Sequence, residues 1–222
     1  MRRISLKKTF PWLRKKDAPN GTGKLVISGR KVIIREKREE DAPDDYAWRT
    51  DEELAHLDAT QPITMSYPEF FRFSRDEMRY ANKSSKRLAI DTQDGRHIGN
   101  CMYYDINTRR GETELGIMIG DRDYWGKGYG TDSVATLLAH IFVTTSLNRV
   151  YLHTLDWNQR ARRSFTKAGF REVKTVHRGG MDFVLMEVLR PEWKLCQTSR
   201  TNCVSSITNR DGNRAGDMGN RK

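Results

Sequence analysis

Apolar residues recur along this chain with two different periods, and the switches between them outline strands alternating with helices. Runs with strand character, either alternating or rich in β-branched residues, occupy residues 32–35, 87–91, 97–105, 113–119, 149–155, 171–178 and 181–189. Helical spacing is clearest over residues 131–144, where Val134, Leu137, Leu138, Ile141 and Phe142 fall at i, i+3, i+4, i+7 and i+8. One or two short helices are expected over 40–57, broken near Thr50. A longer amphipathic helix over 67–80 carries Phe70, Phe71, Phe73 and Met78. Another helix starts after Asn158 and ends at Gly169, where a C′ glycine belongs. Asp94-Gly95 and Gly179-Gly180 are two-residue hairpin turns that join neighbouring strands. The pattern predicts a mixed α/β (α+β) domain, and no internal repeat is evident.

Charge changes the picture at the ends. The chain has 222 residues and a net charge of +11, from 40 Lys and Arg against 29 Asp and Glu. Residues 1–24 hold eight basic side chains against Asp17 alone, and residues 191–222 hold six against three acids. The stretch between them is almost balanced, at 26 against 25. The expected organisation is therefore a basic, disordered leader over 1–24, a single domain over 25–190 and a polar, disordered tail over 191–222. The leader lacks the apolar centre of a secretory signal, and Pro11 interrupts any helix there. No run approaches the ~20 apolar residues of a spanning helix, so membrane insertion is not expected. Nucleic acid is not expected as a partner of the nearly neutral domain, although the basic ends leave nucleic-acid or membrane-surface association open as an alternative. Three scattered cysteines point to a reducing, cytoplasmic compartment. Five histidines without metal-ligand spacing point to no metal site.

The most informative segment is Asp123-Tyr-Trp-Gly-Lys-Gly-Tyr-Gly-Thr131, set between an apolar strand and the best-formed helix. Its three alternate glycines let the backbone turn sharply and let a ligand approach the main-chain N–H groups. A helix N-terminus offers four N–H groups without internal partners and a positive dipole end, so this is an anion site for which phosphate is the usual occupant. The spacing fits neither a Walker loop nor a dinucleotide fingerprint.

With this loop and a second motif, Asn158-Gln-Arg-Ala161-Arg-Arg-Ser-Phe165-Thr-Lys167-Ala-Gly169-Phe170, the chain resembles the GNAT superfamily of acetyl-CoA-dependent N-acetyltransferases. It is nearest the branch of the ribosomal-protein N-terminal acetyltransferases. The pyrophosphate motif [QR]-x-x-G-x-[GA] is here Trp125-Gly-Lys-Gly-Tyr-Gly130, with Trp125 departing from Gln or Arg. The second matches N-x-x-A-x-x-x-Y-x-K-x-G-F, with Phe165 departing from Tyr. The resemblance covers roughly residues 25–190. It implies a GNAT-like mixed, mostly antiparallel, twisted sheet of six to seven strands flanked by helices, with the fourth and fifth strands splayed.

It also implies acetyl-CoA as co-substrate, a primary amine as acceptor (on a small molecule or a protein N-terminus), direct attack in a ternary complex, and a monomer or homodimer. By position, Trp125, Gly126, Lys127, Gly128, Tyr129, Gly130 and Thr131 would hold the pyrophosphate. Ile117, Met118 and Ile119 would pair with pantetheine, Gly116 would ease crowding where the strands part, and Asn158 and Phe165 would contact the cofactor. Asn158 reads equally well as the cap of the following helix. Phe165 cannot protonate the leaving thiolate, so no general acid is assigned; Tyr129 and Tyr151 are the nearby hydroxyls. Glu114, just before the splay, is the candidate base that frees the acceptor amine. A structural ion pair is its other reading, and His97 and His153 are further candidates. Residues 39–58 hold nine acids against Arg49 alone, which serves either to attract a cationic amine or simply as a solvated helix face. Two alternatives remain at this level: a GNAT-like module that binds acyl-CoA with little catalysis, and binding through the basic ends.

Overall fold

The computed structural model describes residues 25–80, 84–193 and 195. The leader, and the tail apart from residues 191–193 and 195, lie outside the described residues. Eight strands form one sheet in the order β1-β2-β3-β4-β5-β6-β8-β7. They are β1 (Val26–Ser28), β2 (Val32–Glu36), β3 (Lys86–Thr92), β4 (His97–Asn107), β5 (Glu112–Ile119), β6 (Arg149–Leu155), β7 (Arg171–Arg178) and β8 (Met181–Leu189). The strand beyond the expected count is β1, whose three residues are too few to show a period. Every neighbouring pair is antiparallel except β5 and β6.

The helices flanking the sheet among the described residues include α1 (Ala42–Thr50), α2 (Glu52–Leu57), α3 (Tyr67–Arg79), α4 (Tyr129–Thr144) and α5 (Gln159–Ala168). The break between α1 and α2 falls at Asp51, whose side chain accepts from the Leu54 N–H at 2.9 Å and starts the second helix. The core lies between the sheet and α4. Val134, Leu137, Leu138, Ile141 and Phe142 are at most 2% exposed and pack with Ile34, Ile90, Ile98, Leu115, Val150, Leu152 and Met186. Trp193 is buried too, its ring centroid 5.4 Å from that of Phe142. The packed core thus reaches three residues past the boundary expected at 190.

The opposite face is built with charge. Arg35 is buried on the face of β2 away from α4, and its guanidinium binds Asp41 at 2.7 Å and Asp91 at 2.6 Å. Lys37 pairs with Asp45, which also accepts from Asn100 Nδ2 at 2.6 Å. These contacts seat α1 on the sheet. Asp44 meets His97 at 3.1 Å, Asp51 and Glu53 grip Arg122 at 2.7 and 2.8 Å, and Asp58 faces Arg49 at 3.8 Å. Most of the acids over 39–58 are therefore spent on structural pairing rather than on attracting a cation. Helix α3 carries no buried residue, and Tyr67, Phe73 and Tyr80 stay exposed along it.

Candidate functional site

The parallel pairing of β5 with β6 lasts three residues, Glu112↔Arg149, Thr113↔Val150 and Glu114↔Tyr151, and then stops. Beyond it the strands part, while β5 keeps its pairing with β4 as far as Gly99↔Ile119. This is the splay expected between the fourth and fifth strands of the family's sheet. It leaves the β6-facing N–H and C=O groups of the far half of β5 without a strand partner. Gly116 lies on β5 just past the apex and sits opposite Met102, with no bulge of its own. A Cβ there would come to 3.2 Å from the Met102 methyl, so glycine does relieve side-chain crowding at the fork. The irregularity falls instead on β4 after Tyr104, where Asp105 adopts a φ of 51°.

A cleft of about 380 Å³ occupies the opening. Ile117, Met118 and Ile119 form one wall, Trp125, Gly126, Gly128, Gly130 and Thr131 the end, and Asn158 and Phe165 the other wall. Ten of the twelve residues expected around the cofactor are thus brought together. Lys127 and Tyr129 do not line the cleft with their side chains, which leaves the main-chain contacts expected of the loop. The Lys127 side chain is exposed, and only its carbonyl is engaged, accepting from Lys31 Nζ at 3.0 Å. Tyr129 turns toward Tyr124, ring centroids 4.9 Å apart, with the Lys31 ammonium 5.3 Å from its own ring. Lys127 lies in the loop just before the cap Gly128 and Tyr129 is the first residue of α4, so both N–H groups stay at the loop while the side chains turn away from the cleft.

The glycine loop has room for a ligand. Gly126 and Gly128 have φ of 70° and 86°, a conformation costly for any L side chain, and α4 begins directly after Gly128, two residues earlier than expected. A Cβ on Gly126 would meet nothing within 4 Å, and on Gly130 nothing closer than Ser164 Oγ at 3.6 Å. Gly130 is therefore demanded neither by its backbone nor by its protein neighbours, and a side chain there would fill the cradle. Asp132, the one acid in the first turn of α4, is turned to the β1–β2 connection, where it accepts from the backbone N–H of Lys31 at 2.7 Å and of Val32 at 3.3 Å. The helix mouth is left positive, and the loop fits a pyrophosphate.

Three cations that spacing alone could not aim also line the cleft: Arg160, Arg163 and Lys167 of α5. Their i, i+3, i+7 spacing was the available signal, and the helix's rotation about its axis decides where that face points. The Arg160 guanidinium lies 3.5 Å from the Trp125 ring centroid, and burial pulls its proton affinity down. Trp125 is itself pinned, its Nε1–H donating to the Ile119 carbonyl at 2.7 Å. Asn158 Oδ1 accepts from the Ala161 N–H at 3.1 Å, so both readings of Asn158 are compatible: the oxygen caps α5 and the amide N–H₂ remains to donate into the cleft. Thr131 and Ser164 hydroxyls meet at 2.8 Å across α4 and α5. His56 of α2 stacks on Trp157, centroids 4.8 Å apart.

Glu114 does not line this cleft. It sits at the fork's apex on the sheet's other face, paired across β4 with Tyr104 and across β6 with Tyr151. His153 Nδ1 lies 2.8 Å from its Oε1. Burial and the neighbouring Glu114 push the Tyr104 and Tyr151 phenols up. His97 is packed under α1 beside Trp48, ring centroids 4.8 Å apart, with its Nε2 sealed and unpartnered, which sets it aside as a base. Trp48 itself lies against Gly120, where a Cβ would overlap the indole at 2.1 Å. Cys101 is buried, with its thiol pushed up to about 12, and supplies no nucleophile.

A family model described as an acetyltransferase (GNAT) domain matches residues 31–171. The human alpha/beta-tubulin-N-acetyltransferase 9 is 28% identical over 162 residues, covering 68% of this chain and 77% of its own length. A spermidine N-acetyltransferase from Vibrio cholerae, solved with CoA and spermine, shares the fold with a TM-score of 0.65 and 18% identity over 73% of this chain and 98% of that one. An aminoglycoside acetyltransferase solved with coenzyme A has a TM-score of 0.62 and 21% identity over 73% and 97% of the two chains. A strand that leaves its neighbour beside a glycine-opened helix mouth, in a chain matched over most of its described length, leads to one conclusion: this chain belongs to the GNAT acetyltransferases and is an acetyl-CoA-dependent N-acetyltransferase.

Proposed function

We propose that the cleft between β5 and β6 holds acetyl-CoA in an extended form and presents its thioester at the fork to a primary amine arriving from the α1–α3 face. The observation that carries this is the three-residue parallel pairing, which ends beside an open glycine loop. The pyrophosphate takes the N–H groups at the start of α4, with Gly126, Gly128 and Gly130 keeping the approach clear. Arg160, Arg163 and Lys167 add positive charge beside it. Pantetheine amides pair with the free edge of Ile117, Met118 and Ile119, and Asn158 donates its amide N–H₂. Main-chain N–H groups at the fork polarise the thioester carbonyl. The amine must be uncharged to attack, and Glu114 is the carboxylate required for that deprotonation. Phe165 has no proton for the departing thiolate; a thiol near ~8.5 leaves without one at modest cost.

Of the two acceptor classes, a protein amine is favoured. The acids of α1 and α2 are largely paired, whereas α3 exposes Phe73, Tyr67 and Tyr80 at 54%, 38% and 81%. Such a surface suits a polypeptide better than a small polycation. The enzyme acts in the cytoplasm as a monomer or homodimer. No helix among the described residues is long and apolar enough to cross a membrane.

The test is a pair of measurements on one sample. Calorimetry with acetyl-CoA reads cofactor binding, and amine screening reads transfer. Glu114→Gln is expected to lower kcat more than tenfold with acetyl-CoA binding unchanged. Unchanged turnover in that variant would remove Glu114 from the mechanism.

A further inference from the structure

Glu114 is an unusual place for a proton to land, because His153 already holds it. Tyr104 stands directly opposite on β4, and burial together with the neighbouring Glu114 pushes its phenol up. His153, two residues past the last paired residue of β6, holds the other side at 2.8 Å. The Glu114 and His153 side chains are only 12% and 17% exposed, so this contact is largely shielded from water. The second imidazole nitrogen differs. Among the described residues Nε2 of His153 has no hydrogen-bond partner, and it is not among the sealed, unpartnered atoms, in contrast to Nε2 of His97. His153 stands on the far arm of the fork, on the same sheet face as Glu114 and Tyr151.

We propose that His153 Nε2 receives the proton of the acceptor amine, and that Glu114 and Tyr104 are positioning residues that hold the imidazole with its proton on Nδ1. The inference rests on the acetyl-transfer function proposed above. Chemistry favours this division of labour. An imidazole can keep a proton on one nitrogen, facing the carboxylate, while its other nitrogen accepts one from an alkylammonium. A carboxylate behind an imidazole fixes its tautomer and faces the imidazolium once formed, the arrangement familiar from serine hydrolases.

The step balances as follows in atoms and electrons. The ammonium gives one proton to Nε2; the freed nitrogen lone pair forms the C–N bond to the acetyl carbon. The C–S bond breaks with its electron pair going to sulfur, and the nitrogen's second proton passes to the thiolate. Amide and coenzyme A thiol are left, and His153 returns its proton to solvent. The other charged or titratable groups facing this pair are Asp105 on β4, Glu112 on β5, Arg149 and Tyr151 on β6, and Glu187 on β8. Arg149 is held by Glu112 and Glu187 at 2.8 and 2.7 Å, so it does not compete for Glu114.

The first test needs no acceptor. Long-range proton–nitrogen NMR on the full chain, with acetyl-CoA bound, should show neutral His153 protonated on Nδ1, with that preference lost in Glu114→Gln. A neutral ring protonated on Nε2 in the wild type would overturn the proposal, since that nitrogen could then accept nothing. The second test uses His153→Asn, whose amide N–H₂ can replace the Nδ1 donor and keep Glu114 in place. With spermidine and a tetrapeptide bearing a free N-terminus as probe amines, kcat should fall at least thirtyfold at unchanged KM for acetyl-CoA. The acidic limb of the pH–rate profile should vanish, and added imidazole should restore part of the rate in His153→Ala. Activity of His153→Asn within threefold of wild type would mean a structural role only. Failure of the wild type to bind acetyl-CoA would instead remove the function on which this rests, leaving the tautomer result to be judged separately.

Discussion

On one side of the sheet, α4 buries five large apolar side chains to 2% exposure or less. On the other, α3 buries none, and α1 is seated by Arg35, Lys37 and the acids they meet. The α4 flank is thus secured by packing and by backbone geometry, the α1–α3 flank by directional polar contacts. Packing tolerates many sequences that keep volume and pattern, so this half can persist among relatives at 18% identity. Directional pairs are specific to their partners, and changing them reshapes one surface without disturbing the core. A fold that must keep one substrate and vary the other gains from that division.

The largest expected effects separate the two flanks. Arg35→Ala strands Asp41 and Asp91 as buried, uncompensated charges and should cost about 3–5 kcal/mol. Hydrogen exchange should show protection falling first over residues 42–57 while α4 keeps its own. Leu138→Ala should cost about 2–5 kcal/mol and lower protection throughout the sheet. Equal loosening of both flanks by the two variants would dissolve the distinction. Next, Gly128→Val combines a positive φ with a filled cradle. Its strain of about 1–2 kcal/mol should lower the melting temperature by only a few degrees. Acetyl-CoA affinity in calorimetry should drop at least ~100-fold, about 2.7 kcal/mol.

Much of this architecture was readable in the chain. The spacing of Val134, Leu137, Leu138, Ile141 and Phe142 announces α4, and Asp94-Gly95 and Gly179-Gly180 announce their hairpins. The glycine loop announces the open mouth of α4, because its backbone chemistry is local. What stayed hidden depends on register between distant strands. His153 meets Glu114 across 39 positions, a contact that exists only because β5 and β6 are parallel and stop pairing at Tyr151. The acids over 39–58 looked like a patch because their partners, Arg35, Lys37, His97 and Arg122, come from three other elements. Arg160, Arg163 and Lys167 share a helix face that is evident, but which side of the helix meets the cleft is set by tertiary packing.

Smaller effects sharpen the comparison. Arg122→Gln removes the pair that ties α2 to the turn before α4; the contact is exposed, so a loss of about 0–1 kcal/mol is expected, shrinking further at high salt. Acidification should act on the flanks in sequence. Burial lowers the proton affinity of His140 on α4, so the unfolded chain binds that proton more readily. Its contribution is present above about pH 6.5 and is lost as pH falls through the lower folded value. Burial pushes Asp41 up, but the Arg35 hydrogen bond, the Arg38 backbone N–H and the charges of His97 and Arg35 together hold it below the usual carboxylate range, so its contribution persists until the pH falls below about 4. Melting curves at pH 7.5, 5.5 and 3 should show the first loss disappear in His140→Gln and the second remain. These pH values are experimental settings, each about one unit or more from the free pKa it tests.

The half of β5 beyond Glu114 ends the protein's own hydrogen bonding on one side before the strand is finished. An extended ligand seated on that edge, as proposed above, would act as a replaceable strand and add hydrogen bonds that the protein alone does not make. At about 100 times its Kd such a ligand adds about 2.7 kcal/mol to folding stability, roughly 5–10 °C for a domain of this size. With acetyl-CoA as that ligand, its concentration would set the stability of the fold as well as the rate of transfer.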